Sequence, residues 1–212
     1  MRVYYFTSTE YGLDNIKCSR LKVSTFDRLN DPFELFCIEM SDKDVRERLE
    51  CEKIFYTNNF GMICFSEDWR NPVQWGHYAN NHTGLCLGFD IPDDELCKVN
   101  YETKRLDRNE LYEPYTSHTI FSTKFKHWSY EKEHRLLLDL RSLNKEGSLY
   151  FKTFSEKLIL MEIIVGCESS VSYEDVIEAI PVLKGNVAVK FTRPSFRDFR
   201  IVSDRRKKII HV

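Results

Sequence analysis

The sequence has no pair of cysteines at C-x-x-C spacing, although seven cysteines are present, at positions 18, 37, 51, 64, 86, 97 and 167. The odd count and the scatter argue against both a disulfide framework and a cysteine-rich zinc site. Reduced thiols in a cytosolic setting are the expectation. No apolar run reaches the roughly 18–20 residues that span a bilayer. The longest, Leu158 to Val165, is strand-sized and broken by Glu162. The start, Met1-Arg2-Val3-Tyr4-Tyr5, shows no charged-then-apolar signal region, so a cytoplasmic protein with no membrane partner is expected. Repeats, low-complexity tracts and Gly/Ser linkers are missing. So are G-x-G-x-x-G and G-x-x-x-x-G-K-[ST], which leaves a Rossmann dinucleotide site or a P-loop without support. An excess of one charge is also lacking. There are 31 basic and 33 acidic residues, for a net charge of −2, so no global field draws the chain to DNA or to a membrane surface.

What is present fits one globular domain over residues 1–212, with a basic C-terminal tail from about 203. The chain is 42% hydrophobic and 30% charged, a balance that buries a core. Aromatic residues reach 14%, enough to wall a pocket or to half-bury at a surface. Short β-rich runs are expected at 3–6, 21–24, 61–66, 85–89, 120–125, 134–140, 149–154, 158–165, 187–192 and 199–202. Helices are expected from Thr7-Ser8-Thr9-Glu10 to about Cys18, from Ser41 to about Thr57, from Asn71-Pro72 to Asn80, and over 173–180 behind a Ser172 cap. A further short helix is expected near 107–112. Asn30-Asp31-Pro32 is a turn, because proline biases Asp31 away from the helical region. The helices do not alternate regularly with the strands. The reading is α+β, a mixed and mostly antiparallel sheet with a few peripheral helices.

Four stretches are richer in polar, aromatic and glycine residues than a scaffold requires. They are Tyr5-Phe6-Thr7-Ser8; Phe26-x-x-Leu29-Asn30-Asp31-Pro32-Phe33-Glu34; Cys64-Phe65-Ser66-Glu67 with Trp75-Gly76-His77-Tyr78-Ala79 through Gly88-Phe89-Asp90; and Lys124-x-x-x-Trp128-Ser129-Tyr130-Glu131-Lys132-Glu133-His134-Arg135. These motifs resemble a large, mostly bacterial family known only as a domain of unknown function. Its members share NDPFE, CFSE, W-x-H-Y-A-x-x-H-x-G-x-C-x-G-F-D and W-x-Y-E-x-E-x-R elements, and the match spans about residues 3–202. In the order of its elements the chain is also similar to the ADP-ribosyltransferase superfamily. That resemblance implies an ADP-ribosyltransferase-like fold and NAD as the substrate, with no metal. It implies Glu133 as the late acid, with Glu131 and His77 as its catalytic companions. Tyr5, Thr7, Ser66, Tyr78, Trp128 and Arg135 would hold the nucleotide. Tyr5 stands where the superfamily has His or Arg, and so brings no positive charge to a pyrophosphate.

The chemistry of these residue types is specific. Breaking an N-glycosidic bond builds positive charge on the ribose, which a preplaced carboxylate stabilises best in a desolvated site. Two residues apart on a strand, Glu131 and Glu133 would share a face, repel, and raise one pKa. Arg135 offers a fork for a phosphate or for a glutamate. Trp128 and Tyr130 offer rings for stacking, or for a core. His77 and His82, five apart, miss helical ligand spacing. Three functions stay open. The first is an NAD-dependent ADP-ribosyltransferase or NAD glycohydrolase with a nucleic-acid or protein acceptor, in a toxin, defence or counter-defence setting. The second is an inactive module that binds a nucleotide or nucleic acid. The third is a metal-dependent nuclease built on Asp31, Glu34, Glu131, Glu133 and Lys124 or Lys132. Residues 193–208, with seven basic and two acidic side chains, could touch phosphates or lie solvated.

Overall fold

A computed structural model of the chain describes residues 1–109, 116–180 and 186–212. In chain order its strands and α-helices are β1 (Arg2–Thr7), α1 (Thr9–Lys17), β2 (Arg20–Val23), α2 (Lys43–Asn59), β3 (Phe60–Ser66), α3 (Pro72–Tyr78), β4 (Leu85–Asp90), β5 (Cys97–Lys98), β6 (Asn100–Glu102), α4 (Thr116–Ser122), β7 (Thr123–Phe125), β8 (Glu133–Asp139), β9 (Asn144–Glu146), β10 (Leu149–Thr153), β11 (Ile159–Val165), α5 (Tyr173–Ala179), β12 (Ala188–Pro194), β13 (Ile201–Ser203) and β14 (Ile210–His211). The fold is mixed α and β. The pairings are mostly antiparallel; β11 with β12 and β6 with β7 are parallel. Contacts gather the chain into two compact units, each discontinuous in sequence.

One unit comprises Met1–Leu21, Phe65–Asp93 and Lys152–Val212. Its strands run in the order β13-β12-β11-β4-β1, with β14 also on β12. Strands β4 and β11 are nearly continuous apolar runs because they are interior to this order. Helix α3 packs on β1 and sends Trp75 into a cluster with Trp69, Ala79, Cys86, Ile164 and Ile201. Proline begins α3, where its missing N–H costs nothing, and the Asn71 side chain caps the helix by accepting from the Val73 N–H. Helix α5 starts in a full capping box between Ser172 and Asp175. After α3 the chain turns through Asn80, Asn81 and His82, all left-handed at φ 46°, 53° and 68°. Gly84 ends that turn so close to Thr7 that an added Cβ would stand 2.2 Å from its carbonyl oxygen.

The other unit comprises Lys22–Cys64 and Asp94–Phe151. Its core gathers Phe26, Leu35, Ile38, Val45, Leu49, Met62, Ile120 and Phe121. The Phe26 and Phe121 rings stack, and Tyr56 meets Phe121 edge-on. Helix α2 buries only Val45 and Leu49, so most of its charged surface faces solvent. Strand β8 pairs with β5, placing Cys97 opposite Arg135. Strand β6 pairs with β7 beside a short 3₁₀ turn over Lys126–Glu131.

Three local expectations change. The β-branched and aromatic run 120–125 is not one strand: it is the end of α4 followed by the three-residue β7. Ile120 and Phe121 are buried by the helix, so an apolar pair alone did not distinguish the two periods. The residues after 91, where no strand is expected before 120, include β5 and β6. The expected helix near 107–112 lies partly outside the described residues; Asp107 itself caps the Asn109 N–H. Strand β13 begins at Ile201 rather than Phe199, because Phe199 and Arg200 belong to the connection from β12.

Candidate functional site: a buried charge network beside a cavity

Arg135 lies within the apolar stretch of β8 and is fully buried. A guanidinium cannot shed its charge, so burial forces it to find partners for all five N–H donors. It does so. Nε donates to Glu133 Oε1 at 2.8 Å. Nη1 donates to Glu34 Oε1 at 2.6 Å and to the Phe121 carbonyl at 2.8 Å. Nη2 reaches Glu34 Oε2 at 3.1 Å and Glu133 Oε2 at 3.3 Å. Lys124 joins from β7, its Nζ 2.6 Å from Glu131 Oε2 and 3.0 Å from Glu133 Oε2. That ammonium also lies over the Trp128 ring, 4.8 Å from its centroid.

The local backbone explains the convergence. Glu131 ends the 3₁₀ turn, and Glu133 opens β8. Between them Lys132 is left-handed at φ 46°. The two carboxylates therefore meet on Lys124 through a kink, not through the strand alternation expected from E-x-E spacing. The Tyr101 hydroxyl accepts from the Glu133 backbone N–H at 2.8 Å, and Glu133 O accepts from Val99 N at 3.0 Å. This fixes the start of the strand.

The electrostatics follow. Burial by itself would push the Glu133 carboxyl up, but Arg135 and Lys124 outweigh burial and hold it down at about 2. The raised carboxyl expected of two neighbouring acids is thus reversed at Glu133. Burial would lower Lys124 and Arg135, yet Glu133 with Glu131, and Glu133 with Glu34, raise them. Burial keeps the Cys64 thiol, beside Glu133, well above its usual range, and lifts Cys37 to about 11. Neither is a thiolate nucleophile at neutral pH. Glu131 and Glu133 share the Lys124 ammonium, and Glu34 and Glu133 share the Arg135 guanidinium.

A cavity of about 350 Å³ opens against this network. Glu34, Lys124, Thr123 and Asp31 line it, with Phe33, Phe36 and Phe125 as walls and Lys104 and Arg105 also on its lining. The Asp31 carboxylate accepts from the Phe33 N–H at 2.9 Å, so the NDPFE turn positions the acid as expected of an Asx turn. Phe33 and Phe125 are about half exposed, and Arg105 stands over the Phe33 ring at 5.5 Å. Large exposed rings around a concave space with a few convergent charges are what a ligand pocket requires.

Of the residues singled out in the sequence, Glu131, Glu133, Trp128 and Arg135 come together in this unit. Arg135 spends its donors on glutamates and a carbonyl, which makes it a frame for the acids rather than a phosphate fork. Tyr5, Thr7, Ser66, His77 and Tyr78 belong to the other unit. There Tyr5 meets Phe65 edge-on, and Thr7 is buried at the end of β1. The Ser66 hydroxyl accepts from Gln74 Nε2 at 3.0 Å and bonds Asp68 O. His77 is exposed and set edge-on to Tyr78. Sequence reasoning passed over Tyr101, Lys104 and Arg105, which occupy a stretch without periodicity, and Phe125, which ends the run expected as a strand over 120–125. The signal for Glu34 and Arg135 was a charged residue inside an apolar run, PFELF and HRLLLDL, where burial demands a partner.

Among the described residues no three His, Cys, Asp or Glu side chains are grouped so as to hold a metal ion, and no helix is long and apolar enough to cross a membrane. No family model, curated protein or solved structure matches the chain.

Proposed function

We propose that the protein cleaves the nicotinamide–ribose bond of NAD, as a glycohydrolase or as an ADP-ribosyltransferase, at the cavity beside Lys124. The observation that carries this reading is the buried Glu133 carboxylate, held down at about 2 by Arg135 and Lys124, behind an aromatic-walled pocket with Lys104 and Arg105 on its lining. The cavity lies near the lower end of small-molecule pockets, about 300–1,000 Å³. It seats one ring with its sugar, while the pyrophosphate lies against Lys104 and Arg105. Phe33 and Phe125 offer faces to the ring. Asp31 offers an acceptor to ribose hydroxyls.

The reaction needs little more than this field. The C1′–N bond breaks and its electron pair leaves with nicotinamide. Positive charge spreads over C1′ and the ring oxygen of the ribose. Glu131 and Glu133 stabilise that charge from behind Lys124, in a medium where charge interactions exceed those in water. Water or an acceptor nucleophile then bonds to C1′ and gives up its proton to solvent. Arg135 and Glu34 are positioning residues that hold Glu133 in place.

Nicotinamide release from NAD by the full chain, followed by liquid chromatography, tests the proposal. Wild type is expected to release nicotinamide. Glu131→Gln is expected to lose activity on the order of a hundredfold, the usual cost of removing one electrostatic stabiliser. NAD that stays intact with wild-type protein, with and without DNA, RNA and cell lysate as acceptor, contradicts cleavage. The same pocket would then read as a nucleotide-binding module.

A further inference from the structure

In the unit that holds β1 and β4, strands β12 and β13 form an antiparallel hairpin whose connection spans residues 195–200. It carries Phe196 and Phe199, 85% and 98% exposed, the two most exposed large hydrophobic side chains among the described residues. A pair of phenyl rings in water at one tip is costly unless a partner covers them. The tip is not a loose loop. Ser195 N donates to Arg200 O at 2.8 Å, Arg200 N to Asp198 O at 3.0 Å, and Ile201 N to Arg70 O at 2.9 Å. Ile201, at its base, is 3% exposed within the Trp69–Trp75 cluster.

The rings alternate with guanidinium groups. Arg193 lies over the Phe196 ring at 4.0 Å, and Arg197 and Arg200 flank Phe199 in sequence. Asp198 partners Arg200 at 3.6 Å, and Asp204 is taken by Arg206 at 2.9 Å. Arg205, Lys207 and Lys208 follow, all exposed. Residues 193–208 therefore carry seven basic side chains against two acidic ones, in a molecule of net charge −2. A groove of about 470 Å³ runs beside the tip, and its wall adds His82 and Glu168 to the rings and arginines.

We propose that this hairpin is a contact site for single-stranded nucleic acid. Unpaired bases stack on Phe196 and Phe199, phosphates meet Arg197, Arg200 and the 205–208 run, and a base edge enters the groove toward Glu168 and His82. Aromatic faces interleaved with cations are the physical recipe for single strands, because every base has a π-face and every link a phosphate. A duplex hides its bases from such rings. A bilayer surface would be met by rings and cations too, but has no base edge to offer Glu168 and His82 in the groove wall. The site is independent of the NAD reading.

Fluorescence anisotropy of labelled U12, its DNA counterpart and a 12-base-pair duplex, titrated with the full chain, tests this. Binding of the single strands is expected, with a log–log salt slope. The double variant Phe196→Ala/Phe199→Ala is expected to weaken binding by about tenfold per ring. Arg197→Ala/Arg200→Ala is expected to lower the salt slope by about 1.4, two phosphate contacts' worth for a single strand. All four side chains are exposed, so an unchanged circular-dichroism melt verifies that both variants are folded. Absence of binding at low salt overturns the proposal. So does equal affinity for duplex, or affinity unaltered by the ring variant. Binding to phosphatidylcholine/phosphatidylserine vesicles without binding to U12 overturns it in favour of a membrane surface.

Discussion

Arg135 shows how one residue can organise a site. A permanent cation inside β8 is tolerable only because Glu34 and Glu133 surround it with four oxygens. Removing either kind of partner leaves a buried, uncompensated charge, which costs about 3–5 kcal/mol. Arg135→Leu and Glu133→Leu are each expected to lose stability of this order in urea denaturation. Restoring an apolar match in the triple change Glu34→Leu/Glu133→Leu/Arg135→Met is expected to recover much of it, since such networks are often no more stable than a packed core. The pH dependence has a definite sign. Glu133 is held at about 2 in the fold, against an ordinary value of 4.5. Its contribution is therefore complete above about pH 4.5 and is lost as pH falls toward about 2. Urea midpoints measured between pH 5 and pH 2.5 should drop, and Glu133→Gln should flatten that slope. At this scale the sequence was readable: a charged side chain among leucines announces a buried partner. Which partner it takes was not readable, because Glu34 lies 101 residues away.

At the scale of elements, the left-handed Lys132 is what brings Glu131 and Glu133 to one ammonium. A non-glycine residue in that conformation costs about 1–2 kcal/mol, more for a β-branched one. Lys132→Gly is expected to keep stability and nicotinamide release. Lys132→Val is expected to lose about 1–2 kcal/mol in thermal or urea unfolding and to lose turnover with it. Most elements were visible in the sequence through caps and periods: Asn71-Pro72 before α3, Ser172 before α5, and the apolar runs of β3, β4 and β11. The kink at Lys132 was not, since nothing in Glu-Lys-Glu marks a positive φ. Nor was the helix-to-strand change near Ser122, where Ile120 and Phe121 satisfy either period. Short strands such as β5 and β6 escaped because two or three residues carry no periodicity.

Over the whole molecule, charge and aromatic surface are unevenly placed. Basic residues crowd the C-terminal stretch, while the other unit buries a network of Glu34, Glu131, Glu133, Lys124 and Arg135. Net charge alone concealed both features. The motifs that read as one linear series divide between the two units, with Glu131, Glu133, Trp128 and Arg135 in one and Tyr5, Thr7, Ser66, His77 and Tyr78 in the other. A linear motif order carries no information on which residues a fold gathers, so half of the candidate site was legible and its cavity was not. The central claim is that this cavity is a nucleotide site. Isothermal titration of NAD into the full chain tests it most directly. The account predicts one saturable site, weakened by Arg105→Glu and by Phe125→Ala, and retained in Glu131→Gln, whose change lies behind Lys124. No binding heat at millimolar NAD, or binding indifferent to both cavity variants, would contradict it.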